Sequence, residues 1–292
     1  MTGAGSGIGA AIAATFAQAG AFVFVTDRDA QAGQGTVNQL RAAGGQAEFL
    51  SLDVSSEADC ERVGNAVKSC FGRLDVLVNN AGIGHVGTML TTSGADLDRL
   101  WAVNVRGVFN VTKVFLPGMV ERKAGSIVNI ASIGAVVGVK DRLAYVTTKF
   151  AIAGMTKALA LDHALDGVRA NAICPGRVET PFVTGWLKKY PDPDKAYRDA
   201  CATQAVNRMG KPEEIAAAEE IANTVADTVS ATMETVGKAA EAVVNLGNDL
   251  TPEKKKEMAV PVIGGVIIAQ VGGAAAASSA RGSGQGTRKA PK

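Results

Sequence analysis

The chain has 292 residues, of which 47% are hydrophobic and 20% charged, and its formal net charge is +2. This length is enough for one large α/β domain with a well-buried core, and the composition is ordinary for a soluble enzyme. The near-neutral charge gives no electrostatic reason to expect a nucleic-acid or anionic-membrane partner.

Strand-like and helix-like segments alternate through the first part of the chain, which is the pattern of a parallel sheet covered by helices. A glycine loop over residues 2–9 leads into an alanine-rich helix that ends near Gly20, and a short apolar strand over 21–26 is followed by Asp27. Because the strands are apolar throughout, both of their faces are expected to be buried. The further predicted segments are helix 30–44, strand 47–52, a helix before 74, strand 74–78, helix 97–122, strand 126–130, helix 145–166 and strand 168–173.

The cysteines and histidines provide little material for a metal site or a nucleophilic triad. The cysteines show no C-x-x-C or zinc-finger spacing, so we expect reduced core thiols in a cytoplasmic protein with no metal site. The two histidines, His85 and His163, are assigned no role. Met1 is followed directly by the glycine loop, so no signal peptide is visible. The four cysteines are Cys60, Cys70, Cys174 and Cys201.

The glycine loop indicates a dinucleotide site. Glycines at positions 3, 7 and 9 allow a tight turn, a close approach of the backbone to a pyrophosphate, and packing of the helix that follows. The free amides and positive end of that helix favour phosphate. Asp27 can accept hydrogen bonds from both adenosine ribose hydroxyls, which favours NAD over NADP, although the neighbouring Arg28 leaves room for NADP. The alternative is that Asp27 merely caps the following helix.

The motifs after the glycine loop resemble those of the short-chain dehydrogenase/reductase family over roughly the first 220 residues. T-G-A-G-S-G-I-G lies at 2–9, N-N-A-G at 79–82, Y-x-x-x-K at 145–149 and P-G-x-x-x-T at 175–180. Their agreement in order is far more specific than any one motif alone. The resemblance implies an α/β, Rossmann-like doubly wound parallel sheet with helices on both faces, formed by a catalytic domain over 1–218.

The resemblance also implies roles for individual residues. Tyr145 and Lys149 match the catalytic pair, and Ser132 matches the catalytic serine. Asn104 matches a helix-borne asparagine that would anchor a water for proton relay from Lys149, and Thr180 would help to hold the nicotinamide carboxamide. The implied cofactor-binding residues are Gly3, Ser6, Gly7, Ile8, Gly9, Asp27, Asp53, Val54, Asn80, Ala81, Gly82, Tyr145, Lys149, Pro175, Gly176, Val178 and Thr180.

The spacing of the Tyr–Lys pair suits proton transfer. Residues four apart share one face of a helix, so Lys149 is expected beside the Tyr145 phenol. A neighbouring ammonium favours the phenolate and is expected to move the tyrosine pKa from near 10 toward working pH. Tyr145 would exchange a proton with the substrate oxygen, and Ser132 would hydrogen-bond that oxygen. The alternative is a Tyr–Lys pair on a helix surface without catalytic meaning.

Fewer features indicate the substrate. Arg142 falls where a branch of the family resembling type 2 3-hydroxybutyrate dehydrogenases carries an arginine, and it could bind a carboxylate with two hydrogen bonds. Arg208 is a second candidate, and the alternative for both is a solvated surface position. Residues 182–206, which include three large aromatic side chains besides Phe182, are expected to form a mobile lid. These features favour a hydroxy acid or a sugar-type alcohol.

Both chain ends depart from the family pattern. The glycine loop has no strand before it, and since that strand is central in the family's sheet, we expect missing ladder bonds there. A coiled-coil-like spacing over 219–244 precedes an apolar run over 260–277, and the end over 278–292 is expected to be disordered. Either residues 264–273 imitate the family's last strand behind an inserted helix, or 219–277 is an unrelated atypical segment. A membrane span over 260–277 is the least favoured interpretation.

Two functions are compatible with these observations. The first is an NAD(P)(H)-dependent oxidoreductase that interconverts a small-molecule secondary alcohol and a ketone. The second is an inactive, truncated or fused Rossmann-like protein that binds a nucleotide or serves assembly. Helices 97–122 and 145–166 resemble those that pair across the family's dimer interface, so a homodimer or homotetramer is predicted.

Overall fold

The computed structural model of the protein describes residues 1–188, 190–218, 262–263 and 266–269. A π-helix over Trp101–Arg106 joins α4 to α5, a short 3₁₀-helix spans Ile133–Ala135, and 212–218 is also helical. The strands are β1 (Phe22–Asp27), β2 (Gln46–Ser51), β3 (Val76–Asn79), β4 (Gly125–Ile130), β5 (Val168–Pro175), β6 (Val262–Ile263) and β7 (Val266–Ala269). The α-helices are α1 (Gly7–Gln18), α2 (Ala30–Ala42), α3 (Glu57–Phe71), α4 (Gly94–Leu100), α5 (Gly107–Arg122), α6 (Leu143–Asp162), α7 (Pro181–Leu187) and α8 (Pro193–Ala202).

Short polar residues set the beginnings of three helices. The side chains of Asp29, Ser56 and Ser93 each accept a hydrogen bond from an amide in the first turn of α2, α3 and α4 respectively. Such caps satisfy amides that have no partner inside the helix, and each contributes about 1 kcal/mol. Helix α3 ends at Gly72, whose left-handed conformation (φ 70°) suits a residue without a Cβ.

The strands form a mainly parallel sheet. β1 pairs with β2, and the second set of strands follows the order β3-β4-β5-β7-β6. The first residues of the chain lie between β1 and β3. The Thr2 amide donates to Val78 O (3.0 Å), the Thr26 amide donates to Met1 O (3.0 Å), and the Ala4 amide donates to Thr26 O (3.1 Å). The expected loss of ladder bonds at this position is therefore partly compensated by the glycine loop itself.

The pairs among β1 to β5 are parallel, as predicted, whereas the edge of the sheet beyond β5 is antiparallel. β7 lies within the predicted strand segment 264–273, yet it pairs antiparallel with β5. β6 and β7 also pair antiparallel. An antiparallel edge on an otherwise parallel sheet is common in doubly wound folds. The predicted helix within 219–261 and the tail over 278–292 lie outside the described residues.

Hydrophobic side chains are buried on both faces of the sheet. Leu77 and Ile127 pack in a core with α3 and α5, whereas their neighbours Val78 and Val128 pack in a second core with α1 and 212–218. Adjacent residues of a strand face opposite sides, so this double burial confirms the doubly wound arrangement. Within the described part of the chain, every helix falls short of the length and hydropathy that a membrane span needs.

Candidate active site

A cavity of about 420 Å³ lies at the carboxyl ends of β1 to β5, where parallel α/β sheets bind ligands. It brings together residues that are far apart in the sequence, from the glycine loop to the residues that follow β5. Among the predicted cofactor residues, Gly9 alone does not line it. The predicted residues that do are Gly3, Ser6, Gly7, Ile8, Asp27, Asp53, Val54, Asn80, Ala81, Gly82, Ser132, Tyr145, Lys149, Pro175, Gly176, Val178 and Thr180.

The glycine loop forms one wall of the cavity. Gly3 (φ 62°) and Gly7 (φ 56°) have left-handed conformations that favour glycine. Gly9 lies behind the loop, where a Cβ would stand 2.3 Å from Gly3 O and 2.6 Å from Asn80 Nδ2. The side-chain Nδ2 of Asn80 holds the loop by donating to Gly3 O (2.8 Å) and Thr2 O (3.1 Å). Gly9 therefore shapes the loop by its lack of a side chain.

The amino end of α1 fits a phosphate group. Helix α1 begins at Gly7, and the Ser6 side chain before it makes no capping hydrogen bond. The first amides of a helix have no partner inside it, and the helix dipole is positive at this end. Since Ser6, Gly7 and Ile8 line the cavity, these amides are available to an anion there.

Asp27 is the last residue of β1 and lines the cavity. Its Oδ2 accepts a hydrogen bond from the Gly5 amide and its Oδ1 accepts one from the Asp29 amide, both at 2.9 Å. The alternative that Asp27 caps α2 is wrong, because the Asp29 side chain caps that helix. The carboxylate is thus fixed by the backbone, and Arg28 lines the cavity beside it. These features fit the two ribose hydroxyls of an adenosine.

Tyr145, Ser132 and Lys149 lie together at the other end of the cavity. Both side chains of Ser132 and Tyr145 line the cavity, and Ser132 is close enough to the phenol to act on its pKa. Lys149 Nζ donates to Ile130 O (2.8 Å) and lies 5.7 Å from the centroid of the Tyr145 ring. The alternative of a pair on a helix surface does not apply to Lys149, which is 4% exposed. A phenol, a hydroxyl and an ammonium group here converge beside one cavity.

The pKa of Tyr145 differs from the predicted direction. Burial raises it above the usual value of tyrosine, and the opposing effects of the Ser132 hydrogen bond and the Arg142 charge are smaller. Burial also lowers the pKa of Lys149 to about 8. The Lys149 ammonium donates to Ile130 O, and burial of the phenol outweighs the charges near it, so the predicted net lowering of the tyrosine pKa is wrong for this arrangement.

Asn104 lies behind the cavity, in the π-helix, and is 1% exposed. Its Oδ1 accepts from the Ile83 amide (2.8 Å), and its Nδ2 donates to Ile83 O and Thr148 Oγ1, both at 3.0 Å. A π-helix places one extra residue in a turn and is often found at functional sites. The side chain of Asn104 thus holds the Ile83 backbone, and its predicted role in anchoring a water remains a prediction.

The two candidate substrate arginines have different surroundings. Arg142 is half-buried, donates to His85 O (3.4 Å), and is close enough to Tyr145 for its charge to lower the tyrosine pKa. Arg208 makes a bidentate ion pair with Glu214, at 2.8 and 2.6 Å. Neither arginine is among the residues that line the cavity, so a contact of Arg142 or of Arg208 with the substrate stays a prediction.

The predicted lid contains α7 and α8. Phe182, in α7, lines the cavity, and its ring packs so closely on Gly84 that a Cβ there would stand 2.6 Å from the ring. Apolar residues of the cavity wall were missed by sequence reasoning, since a buried strand end looks the same whether it faces a cavity or a core. The lining residues beyond the predicted set are Arg28, Leu52, Ile83, Val103, Ile130, Ala131, Pro181, Phe182 and Val183.

Comparisons with known proteins agree with this geometry. The short chain dehydrogenase family matches residues 1–191. An uncharacterized oxidoreductase of Thermotoga maritima is 38% identical over 216 residues, or 74% of this chain and 85% of the relative. L-fucose dehydrogenase of Bos taurus is 37% identical over 220 residues, or 75% of this chain and 79% of the relative.

Solved structures are similar over the same region. A variant of actinorhodin polyketide ketoreductase crystallised with NADPH has a TM-score of 0.72 at 38% identity, and the match covers 76% of this chain and 87% of that one. Levodione reductase has a TM-score of 0.72 at 33% identity, covering 75% of this chain and 87% of its own. These similarities support an oxidoreductase, and they give no support to the inactive alternative.

Proposed function

The chain belongs to the short-chain dehydrogenase/reductase family, and from this premise we propose that it is an NAD-dependent enzyme that interconverts a secondary alcohol and a ketone. One observation carries the proposal. Ser132, Tyr145 and Lys149 lie together at one end of a cavity whose other end contains Asp27. The first group of residues suits proton transfer, and Asp27 suits recognition of a dinucleotide.

In the proposed reaction, side chains of the protein transfer the proton. When bound, the dinucleotide supplies or accepts the hydride. Tyr145 donates its phenolic proton to the oxygen of a ketone, or takes the proton from an alcohol hydroxyl. The Ser132 hydroxyl, which lines the same cavity, donates a hydrogen bond to the same oxygen and stabilises the charge that develops there.

Lys149 supports this proton transfer as a buried cation. At neutral pH, the raised pKa of Tyr145 and the pKa of about 8 for Lys149 leave both groups mainly protonated. Negative charge on the Tyr145 oxygen during proton donation is stabilised by the ammonium 5.7 Å from the ring centroid. The ammonium therefore stabilises the phenolate more than the neutral phenol of the resting protein.

The preference for NAD is proposed to depend on Asp27. Its carboxylate would accept the ribose hydroxyls and repel a 2′-phosphate. In fluorescence titrations we expect NADH to bind more tightly than NADPH. Asp27→Asn should weaken NADH binding by about tenfold or more, because the ribose hydroxyls lose a charged hydrogen-bond acceptor. The affinities for NADH and NADPH should therefore differ less in this variant than in the wild type.

Asp75→Asn provides the matched control for this experiment. Asp75 is an exposed carboxylate paired with Arg73 at 3.2 Å, and it does not line the cavity. Its substitution should leave the affinities for both dinucleotides unchanged. Equal affinity of the wild-type protein for NADH and NADPH, or unchanged binding in Asp27→Asn, would contradict the preference for NAD.

The substrate is proposed to be a hydroxy acid or a sugar-type alcohol, and Arg142 is the residue that would recognise a carboxylate. Its half-buried guanidinium lies within electrostatic reach of Tyr145. For hydroxy acids, Arg142→Ala should lower kcat/KM by about 10- to 100-fold, because a charged hydrogen bond is lost, whereas uncharged alcohols should be affected little.

The control for the Arg142 prediction is Arg208→Ala, which removes a guanidinium that pairs with Glu214 outside the cavity. NAD+ reduction is measured with pairs of alcohols that differ by a carboxylate. If Arg142→Ala lowers kcat/KM equally for both members of a pair, or does not lower it, the proposal that Arg142 binds a carboxylate is wrong. The substrate is then an uncharged alcohol.

A homodimer or homotetramer is proposed from exposed apolar side chains on the helices that resemble the family's interface. Trp101, Phe109, Phe150 and Leu161 are 39–62% exposed and lie on the π-helix, α5 and α6. Pairing of these helices in two copies would remove apolar surface from water. Light scattering that gives the mass of a single chain would contradict this proposal.

A further inference from the structure

Thr148 is fully buried in α6, between Tyr145 and Lys149. Its Oγ1 donates to Tyr145 O (2.8 Å) and accepts a hydrogen bond from Asn104 Nδ2 (3.0 Å). A hydroxyl has one proton to donate and two lone pairs to accept, so both contacts are satisfied at once. Thr148 therefore connects the backbone of Tyr145 to the side chain of Asn104.

Asn104 continues this connection to the wall of the cavity. Its Oδ1 accepts from the Ile83 amide, and its Nδ2 also donates to Ile83 O. Ile83 lines the cavity, as does Gly82 before it. A Cβ on Gly82 would stand 3.4 Å from Asn104 Oδ1 and 3.7 Å from Lys149 Nζ, so the two side chains approach the same point.

We propose that Thr148 is a positioning residue for the reaction. Its hydroxyl holds α6, and with it Tyr145 and Lys149, at a fixed distance from the Asn104–Ile83 pair in the cavity wall. The inference rests on the proposed function, because it matters for turnover only if Tyr145 transfers the proton. Proton transfer is sensitive to the position of the Tyr145 phenol, since a displacement of about 1 Å can cost roughly 100-fold in rate.

Thr156 provides a matched control on the same helix. It is also buried (2% exposed), its Oγ1 donates to Ile152 O (2.8 Å), and it accepts a hydrogen bond from Asn129 Nδ2 (2.9 Å). Thr156 does not line the cavity and is not bonded to a residue that does. Thr148→Val and Thr156→Val therefore remove the same kind of hydrogen bonds, and their thermal midpoints should fall by similar amounts.

Kinetics of the whole protein separate positioning from stability. Thr148→Val should lower kcat by about 10- to 100-fold, while its dissociation constant for NADH stays within about twofold of wild type. Thr148→Ser keeps both hydrogen bonds and should restore kcat, and Thr156→Val should leave kcat within about twofold of wild type. Equal losses of kcat in the two valine variants, or no loss in Thr148→Val, would overturn the inference.

Hydrogen exchange tests the connection without turnover. The Ile83 amide is protected by Asn104 Oδ1, so Thr148→Val should speed its exchange by about tenfold in the protein without ligand, and Thr156→Val should not. Unchanged exchange in Thr148→Val would overturn the connection itself. A wild-type protein that binds NADH but turns over no alcohol or ketone would instead count against the proposed function.

Discussion

Tyr145→Phe is expected to fold, to bind NADH with an affinity reduced by at most about tenfold, as for the loss of one hydrogen bond, and to lose about 10³-fold in kcat, in the range that general acid–base groups contribute. The substitution removes a single oxygen, the one that exchanges the proton in the proposed reaction. Stability should change little, because the aromatic ring that fills the space remains. The measurements are initial rates at saturating substrate and a fluorescence titration with NADH.

Tyr197→Phe is the matched control for Tyr145→Phe. The Tyr197 hydroxyl donates to Glu179 Oε1, and Tyr197 does not line the cavity. Loss of this exposed hydrogen bond should leave kcat within about twofold of wild type. Turnover by Tyr145→Phe at more than about a tenth of the wild-type rate would show that another group transfers the proton.

The Gly9→Ala variant is expected to lose NADH binding and several kcal/mol of stability. The new Cβ would stand 2.3 Å from Gly3 O, a backbone atom that also accepts the Asn80 hydrogen bond. To relieve this overlap the glycine loop has to move. Overpacking lowers the stability by about 1–3 kcal/mol, and a polar group left without its hydrogen bond lowers it by about 1–3 kcal/mol more. That is a large fraction of a total stability of about 5–15 kcal/mol.

Gly35→Ala is the control for the same chemical change in another helix. Gly35 lies in α2, where a Cβ meets nothing within 4 Å, so alanine should stabilise the protein by about 0.5–1 kcal/mol. Urea unfolding and NADH titration of both variants compare the two sites. If Gly9→Ala binds NADH as tightly as the wild type, the loop tolerates a displacement that this geometry does not permit.

Structural features that depend on residues close together in the chain could be predicted from the sequence. The glycine loop is an example, because left-handed turns at Gly3 and Gly7 and the beginning of α1 are local consequences of the residues present. The pairing of Tyr145 with Lys149 on one face of α6 follows from helix periodicity. Residue types and spacing are sufficient for such features, since few long-range contacts enter them.

Features that depend on groups distant in sequence could not be predicted. The pKa of Tyr145 depends chiefly on how much protein surrounds the phenol, and the partner of the Lys149 ammonium is the carbonyl of Ile130 on another element. The two arginines looked alike in sequence, yet Glu214 binds Arg208 while Arg142 lies near Tyr145. The direction of β7 was equally undetermined, because a short apolar strand can pair with either orientation.

The sequence by itself thus determined the doubly wound architecture, the glycine loop before α1 and the placement of Tyr145 and Lys149 on one helix, because glycine conformation, helix periodicity and continuous apolar strands are local properties. The tertiary structure alone decided which polar groups meet across the cavity wall. The hydrogen bonds from Ile83 through Asn104 to Thr148 join three segments separated by 21 and 44 residues. Their contact depends on the packing of the π-helix against α6, and no local pattern encodes that.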